Sequence, residues 1–373
     1  MILKTWYKYI LAKGKEKTMK RLLAILCAAV LVLSLTACGE KPVESSKVTE
    51  PATTKTEPAG SQTESAGTQT EPVAVTYPTK AVNVICPYGA GSNQDLTCRT
   101  IATLLEEKLG VPFVVKNVEG ADGVTGEIEL YNSPNDGYTI GATSASPTCI
   151  TPYLQPDEVP YRWDSFEHIG MVLPFSHCFY AKADAPFNNL DELCAWINSQ
   201  ESVVCCFAGY VNLVNMMKVF EIGKVDASKV TFVPTNSKEV ATSVASGICQ
   251  FTCHGKSTAK PMVLSGDLKL LAPLGDQRYP DVNPDIPSAV EQGYNVFSYG
   301  GLGFSAPKGT PQEYIDILDK ALQEVVLDQR YIDHVDSIGY QHYTYDAKEY
   351  AEQLKTDSEL SYKYLVELGM IKQ

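Results

Sequence analysis

The chain has 373 residues, more than one ordinary core needs and enough for two domains. Its 44% apolar and 20% charged residues are the proportions of a globular protein, which sets aside disordered and fibrous classes. The net charge of −13 argues against a nucleic-acid partner, which requires a positive face, and against electrostatic adhesion to anionic lipid.

Reading along the chain, Met19 is followed by Lys20 and Arg21 and then by an uncharged apolar run of 16 residues, Leu22 to Ala37. This run is short for a membrane-spanning helix and right for the apolar part of a secretory signal. It closes on Leu35-Thr36-Ala37-Cys38, small residues before a cysteine, which resembles a bacterial lipobox. Residues 1–37 are therefore expected to be a lipoprotein signal peptide whose real start is Met19, with Cys38 carrying the lipid. Cleavage would remove seven basic residues and one acid, leaving 24 basic and 43 acidic residues, a net −19. Residues 38–76 are rich in Thr, Ser, Glu and Pro and repeat "TEPA" or "TEPV" at Thr49, Thr56 and Thr70. Such a composition cannot bury a core, and the segment reads as a disordered tether.

Folding is expected from Tyr77. "AVNVICPY" is a buried strand of β-branched residues, and "QDLTCRTIATLLEEKLG" is a helix closed by Gly110. "PFVVKNV" is a strand, "GEIELYNSP" begins as a helix, and "NDGYTIGATS" turns into a strand. The alternation recurs in "NLDELCAWINS", "SVVCCFAG" and "VNLVNMMKVFEIG", and again in "VTFVPT", "SKEVATSVASG" and "CQFTCHG". Strand–helix–strand alternation predicts an α/β fold with parallel strands. Two helices end the chain, "GTPQEYIDILDKALQEVVLD", with Pro311 at an early helical position, and "DAKEYAEQLKTDSELSYKYLVELG".

Of eleven cysteines, Cys27 and Cys38 belong to the signal and the lipid site, and nine remain, an odd number that cannot all pair within one chain. They sit in apolar or strand-like contexts and are read first as buried thiols, which suggests a reducing habitat. A zinc site on Cys249, Cys253 and His254 would lack a second ligand pair.

Three Gly/Ser/Thr-rich loops follow strands. The first, "CPYGAGSNQD", has Gly89 and Gly91 for close backbone approach, Ser92 or Asn93 as a helix cap, and Asp95 in a relaxed capping box with Ser92. The second is "GATSASPT" and the third "FAGYVN". No phosphate-loop lysine and no G-x-G-x-x-G is present, so the first loop is left as a carboxylate cradle or a plain turn. In an α/β unit, ligands lie beyond the carboxyl ends of strands, and the recurrence of the loops favours a cleft lined by backbone amides.

The stretches "YPTKAVNVICPYGAGSNQD", "NDGYTIGATS", "VPYRWDSFEHIGMV", "FAGYVN", "VTFVPT" and "GLGFSAPKGTPQEYIDILDKAL" come in the order and spacing of the tripartite tricarboxylate transporter substrate-binding proteins, the Bug family, and the chain resembles them from Tyr77 to its C-terminus. The resemblance implies a two-lobed, periplasmic-binding-protein-like (type II) fold, each lobe a mixed sheet flanked by helices, with the ligand in the cleft between them. It places residues 77–178 and 299–373 in lobe 1 and 179–298 in lobe 2. It implies a small carboxylate held by Tyr88, Gly89, Ala90, Gly91, Ser92, Asn93 and Asp95, and by Ser144, Ala145 and Ser146. From lobe 2 it implies Ala208, Gly209, Tyr210, Asn212, Thr235 and His254. Ser92 and Asn93 stand where relatives carry glycine, and His254 where many carry aspartate. His177 is a further polar departure, and both histidines are read either as packed residues or as partners of a second carboxylate.

The implied function is capture of a small organic acid by hinge closure and delivery to integral-membrane transporter subunits, by a monomer anchored outside the cell membrane through the lipid on Cys38 alone. No cofactor, metal or catalytic residue is implied. Two alternatives differ in class. A sensor would pass the liganded state to a membrane kinase. A cysteine enzyme would need Cys253 and His254 together, yet neighbours on a strand face opposite ways.

Overall fold

The computed structural model describes residues 76–372. The signal peptide, Cys38 and all but the end of the tether lie outside the described residues. Two five-stranded mixed sheets organise the chain. The first contains β1 (Val82–Cys86), β2 (Phe113–Asn117), β3 (Thr139–Ser144), β4 (Phe166–Pro174) and β10 (Gly301–Pro307), in the order β2-β1-β3-β10-β4. The second contains β5 (His177–Lys182), β6 (Val203–Phe207), β7 (Val230–Pro234), β8 (Phe251–Gly255) and β9 (Leu268–Pro273), in the order β7-β6-β8-β5-β9. The pairing pattern is the same in both. β1 runs parallel to β2 and β3, and β6 parallel to β7 and β8. β10 is antiparallel to β3 and β4, and β5 antiparallel to β8 and β9.

The helices form where caps and apolar stripes agree. α1 (Asn93–Leu109) starts at Ser92, whose hydroxyl accepts from the Asp95 N–H, and stops at Gly110 in the left-handed region (φ 74°). Its buried Cys98, Ile101, Ala102 and Leu105 fall on one helical face over the first sheet. α2 (Val124–Tyr131) and a short α3 (Thr151–Leu154) flank β3. In the second half, α4 (Leu190–Ser199) is capped by Asn189 and buries Leu190, Leu193, Cys194 and Ile197. α5 (Tyr210–Ile222), α6 (Val240–Ala245) and α7 (Lys256–Ser265) complete that lobe. α8 (Gln312–Val325) and α9 (Gln329–Ser337) return to the first sheet. Pro311 stands at the N-cap of α8, one position before the helix.

The last helix, α10 (Ala347–Glu367), has a full capping box between Asp346 and Glu349. It serves both lobes. Tyr350 and Leu354 pack with Met171 of β4, whereas Tyr364 and Leu365 are buried in the core of the second lobe. Near that end the Tyr364 hydroxyl donates to Glu221 of α5 at 2.6 Å.

The chain crosses from the first sheet to the second through Phe175 and Ser176, and returns through the segment that ends at Gly300. Because β1–β3 are parallel and β10 antiparallel, the ends of β1 and β3 and the start of β10 share one edge. The second sheet does the same with β6, β7, β8 and the start of β5. The crossings join these two edges. A methyl group on Gly300 (φ 79°) would lie 2.7 Å from Ala145 Cβ, so the return passes directly against the second loop.

Candidate functional site

All three glycine-bearing loops sit on the edges that the crossings join. The first loop leaves β1 at Cys86. Gly91 is left-handed (φ 82°), and its N–H donates to Asp95 Oδ2 at 2.8 Å. Asp95, 2% exposed, also accepts from Asn117 Nδ2 (2.7 Å, to Oδ1) and pairs with Arg99 at 3.0 Å. Asn117 donates to the Tyr88 carbonyl at 2.9 Å. Burial alone would raise the Asp95 carboxyl, but the bonds from Arg99, Asn117 and Gly91 outweigh it and hold it below the usual range. Asp95 therefore braces the loop from behind. It does not complete a reciprocal capping box, because its carboxylate reaches the Gly91 amide.

Tyr88 carries its hydroxyl across to Ser144 Oγ at 2.6 Å, which ties the first loop to the second. The Ser144 N–H turns inward to Glu127 Oε1 (3.1 Å), and Thr148 donates its hydroxyl to the same carboxyl at 2.9 Å. Glu127 is fully buried, and that burial pushes its acid up to about 8 against the pull of Thr148 and the Ser144 amide. Ala145 is buried, and Ser146 donates to Asp122 at 2.7 Å. The Ser144 amide is thus engaged internally, which leaves the chain beyond it to present the loop to the cleft.

In the third loop Gly209 (φ 102°) begins α5 with no capping side chain. Asn212 donates to the Ala208 carbonyl at 2.7 Å, while its Oδ1 is buried without a partner. The Thr235 N–H is held by the Phe207 carbonyl at 2.9 Å, closing the ends of β7 and β6 together. Tyr210 takes the first position of α5. Gly89 and Ala90 form the crest of the first loop, and Asn93 bonds Tyr340 from the segment before α10.

Both histidines stand on the second edge. His177 opens β5 and shares a 2.5 Å hydrogen bond through Nδ1 with Ser298 Oγ. Burial first, and the neighbouring His254 second, push it down to about 3. His254 is pushed down to about 4 by burial, and its Nδ1 has no partner. Both are neutral at neutral pH, so the charge pairing with a second carboxylate considered from sequence is unsupported. Cys253 pairs with Phe179 and faces the second-lobe core, while His254 pairs with Cys178 on the opposite face, so the two make no nucleophile–base pair. Among the described residues nine thiols are buried and unpaired by disulfides.

Glu127, Asn117, Ser298 and Gln341 were not singled out from the sequence. Glu127 and Asn117 carry one legible signal each, a lone acid in an apolar helical stretch and a polar residue closing a strand. Ser298 and Gln341 carry none. Two surface hollows, one of about 330 Å³ lined by Pro152, Tyr161 and Arg162 and one at Tyr362 and Lys363, contain none of the predicted site residues.

Two mixed sheets joined edge to edge, with backbone-rich loops on the joined edges, define a two-lobed α/β binding protein. A family model described as tripartite tricarboxylate transporter family receptor matches residues 97–369, and the chain belongs to that family of solute-binding receptors, which are not enzymes. Protein BugT of Bordetella pertussis is 26% identical over 261 residues, covering 68% of this chain and 78% of BugT. The fold matches a ligand-free TctC solute-binding protein from Polaromonas, with a TM-score of 0.67, 21% identity, and coverage of 78% of this chain and 99% of that one. It also matches MatC from Rhodopseudomonas palustris with bound malate, with a TM-score of 0.56, 21% identity, and coverage of 76% and 100%. Among the described residues no helix is long and apolar enough to cross a membrane.

Proposed function

We propose that this receptor is an extracytoplasmic lipoprotein that captures a small organic carboxylate between its lobes and delivers it to integral-membrane transporter subunits. The observation that carries the reading is the convergence of the loops after β1, β3 and β6 on the two joined edges. Amide-rich loops at such edges suit an anion without a cationic side chain. Asp95 and Glu127 support this from behind, because they hold the loop backbone in place and leave Gly89 and Ala90 at the crest, the turn after Ser144 and the start of α5 as the surfaces offered to ligand, while the Gly91 and Ser92 amides stay engaged within the loop. The malate in MatC is consistent with a carboxylate. Ligand contacts from both lobes would favour the closed arrangement over the open one.

The test is a calorimetric screen of the detergent-solubilised full chain against mono-, di- and tricarboxylates. We expect at least one acid with a Kd of about 1 μM or below, the affinity that about 8 kcal/mol of binding gives. A folded protein that binds none of the panel at millimolar concentration rejects the reading.

A further inference from the structure

Among the described residues, four thiols are arranged in two pairs. Cys86, the last residue of β1, shares a side-chain hydrogen bond with Cys98 of α1. Cys206, near the end of β6, shares one with Cys249, which precedes β8. All four are 1% exposed or less. The pairs occupy equivalent places, because β1 and β6 each run parallel to two neighbours in their sheets and each lead into a loop on the joined edges. The first pair brackets the first loop, residues 87–97, and Cys86 also donates its thiol to the Tyr88 carbonyl inside that loop at 3.8 Å. The other thiols have different company. Cys149 donates to the Leu354 carbonyl and Cys178 to the His254 carbonyl, Cys205 lies against Met216, Cys194 accepts from the Tyr294 hydroxyl, and Cys253 is packed in the second-lobe core.

Two sulfurs in hydrogen-bond contact already satisfy the reach that a disulfide demands. The bond from Cys98 lowers Cys86 and in turn raises Cys98, and Cys206 lowers Cys249 in the same way while being raised itself. Each pair therefore holds one sulfur inclined to the thiolate, the attacking form, beside one that keeps its proton. We propose that Cys86–Cys98 and Cys206–Cys249 are two dithiol oxidation sites, each closing to a disulfide by exchange with a low-molecular-weight disulfide such as oxidised glutathione. In the first, the Cys86 thiolate attacks one sulfur of the reagent, which forms a mixed disulfide and releases one glutathione thiolate. Cys98 gives its proton to that thiolate and attacks the Cys86 sulfur. The Cys86–Cys98 bond forms, and the second glutathione leaves and takes up the proton that Cys86 had released to water. Two protein thiols are oxidised and one reagent disulfide is reduced to two thiols. Burial shields the folded pairs, so exchange runs as the chain folds or as the loop opens. Closure of the first pair ties the end of β1 to α1 and restrains the loop between them.

The experiment refolds the reduced, detergent-solubilised full chain in a buffer of reduced and oxidised glutathione. Free thiols are then alkylated, the protein is digested without reduction, and cross-linked peptides are identified by mass spectrometry. The same map is read on folded protein held in that buffer near its melting midpoint, so the result does not depend on refolding. We expect Cys86–Cys98 and Cys206–Cys249 cross-links, with Cys149, Cys178, Cys194, Cys205 and Cys253 alkylated. Hydrogen exchange at residues 88–92 should be about tenfold slower in the oxidised protein than in the reduced one. Cys98→Ala should abolish the first cross-link and its effect on exchange while the Cys206–Cys249 cross-link still forms, which serves as the internal control. Alkylation of all nine thiols, cross-links scattered among other partners, or lasting glutathione adducts on the paired cysteines overturn the proposal. The wild-type map decides even where the variant fails to fold, and none of these outcomes bears on whether a carboxylate binds.

Discussion

Glu127 has no exposed surface, and it accepts from the Ser144 amide and the Thr148 hydroxyl. Burial holds it protonated up to about 8, and the same cause raises Asp357 to about 7. A raised carboxyl favours the folded state at low pH, and that contribution is lost as pH rises from the ordinary value through the folded one. His168, His177 and His254, all lowered by burial, act in the opposite sense, and their contribution is complete above about pH 6.5. The loss from Glu127 runs from the ordinary carboxyl range up to about 8, and between pH 7 and 8 it is no longer overlaid by the histidines or Asp357, so there the wild-type melting temperature should fall. Glu127→Gln keeps an acceptor for Ser144 and Thr148 and abolishes the titration. We expect the variant to lose less stability than wild type across that window by thermal melting, and parallel curves would disprove the assignment.

At the scale of elements, the first loop and α1 form one unit built around Asp95. Its carboxylate closes the Gly91 turn, anchors Asn117 at the end of β2 and pairs with Arg99 one turn along the helix. Asp95→Ala leaves three donors without their acceptor, two of them at the loop, and since the Arg99 end is half exposed the loss should be about 1–3 kcal/mol, the cost of unpaired buried donors. Denaturant midpoints measure the stability, and hydrogen exchange at residues 88–92 measures the loop. Unchanged exchange there would show that Asp95 does not order the backbone. The helices and parallel strands of this region are legible, because Ser92, Gly110 and the apolar Ile101, Leu104 and Leu105 agree on one reading, while Leu96 proves exposed and Cys98 and Ala102 complete the buried face. β4, β5, β9 and β10 were not assigned from pattern alone. Their nearly continuous burial leaves an apolar run without period. α7 was hidden by the internal Pro261, and α9 by its polar sequence.

For the whole molecule, charge and anchorage belong together. On the proposed cleavage before Cys38 the mature chain would carry a net −19 and be repelled by anionic lipid, so a membrane attachment would have to come from a lipid on Cys38. In cell fractionation, Cys38→Ala should move the protein from the membrane to the soluble fraction, and wild type should resist a high-salt wash. A Cys38→Ala protein that stays with the membrane would show that the anchor lies elsewhere. The folded body adds a constraint of its own. α10 packs Tyr350 on the first lobe and Tyr364 in the second, so relative motion of the lobes must be accommodated along this helix as well as at the crossings.

The sequence by itself determined the α/β class, the order of the loops, the buried character of the thiols and the family pattern, because caps, periods and glycine spacing act over a few residues. The tertiary structure alone decided which polar groups of the loops are engaged internally. Asp95 turned out to face Asn117, the Ser144 amide to face Glu127, and His177 to face Ser298. It also decided that His177 and His254 are buried, which lowers both. Those outcomes depend on desolvation and on hydrogen-bond partners from distant parts of the chain, and no local pattern encodes them.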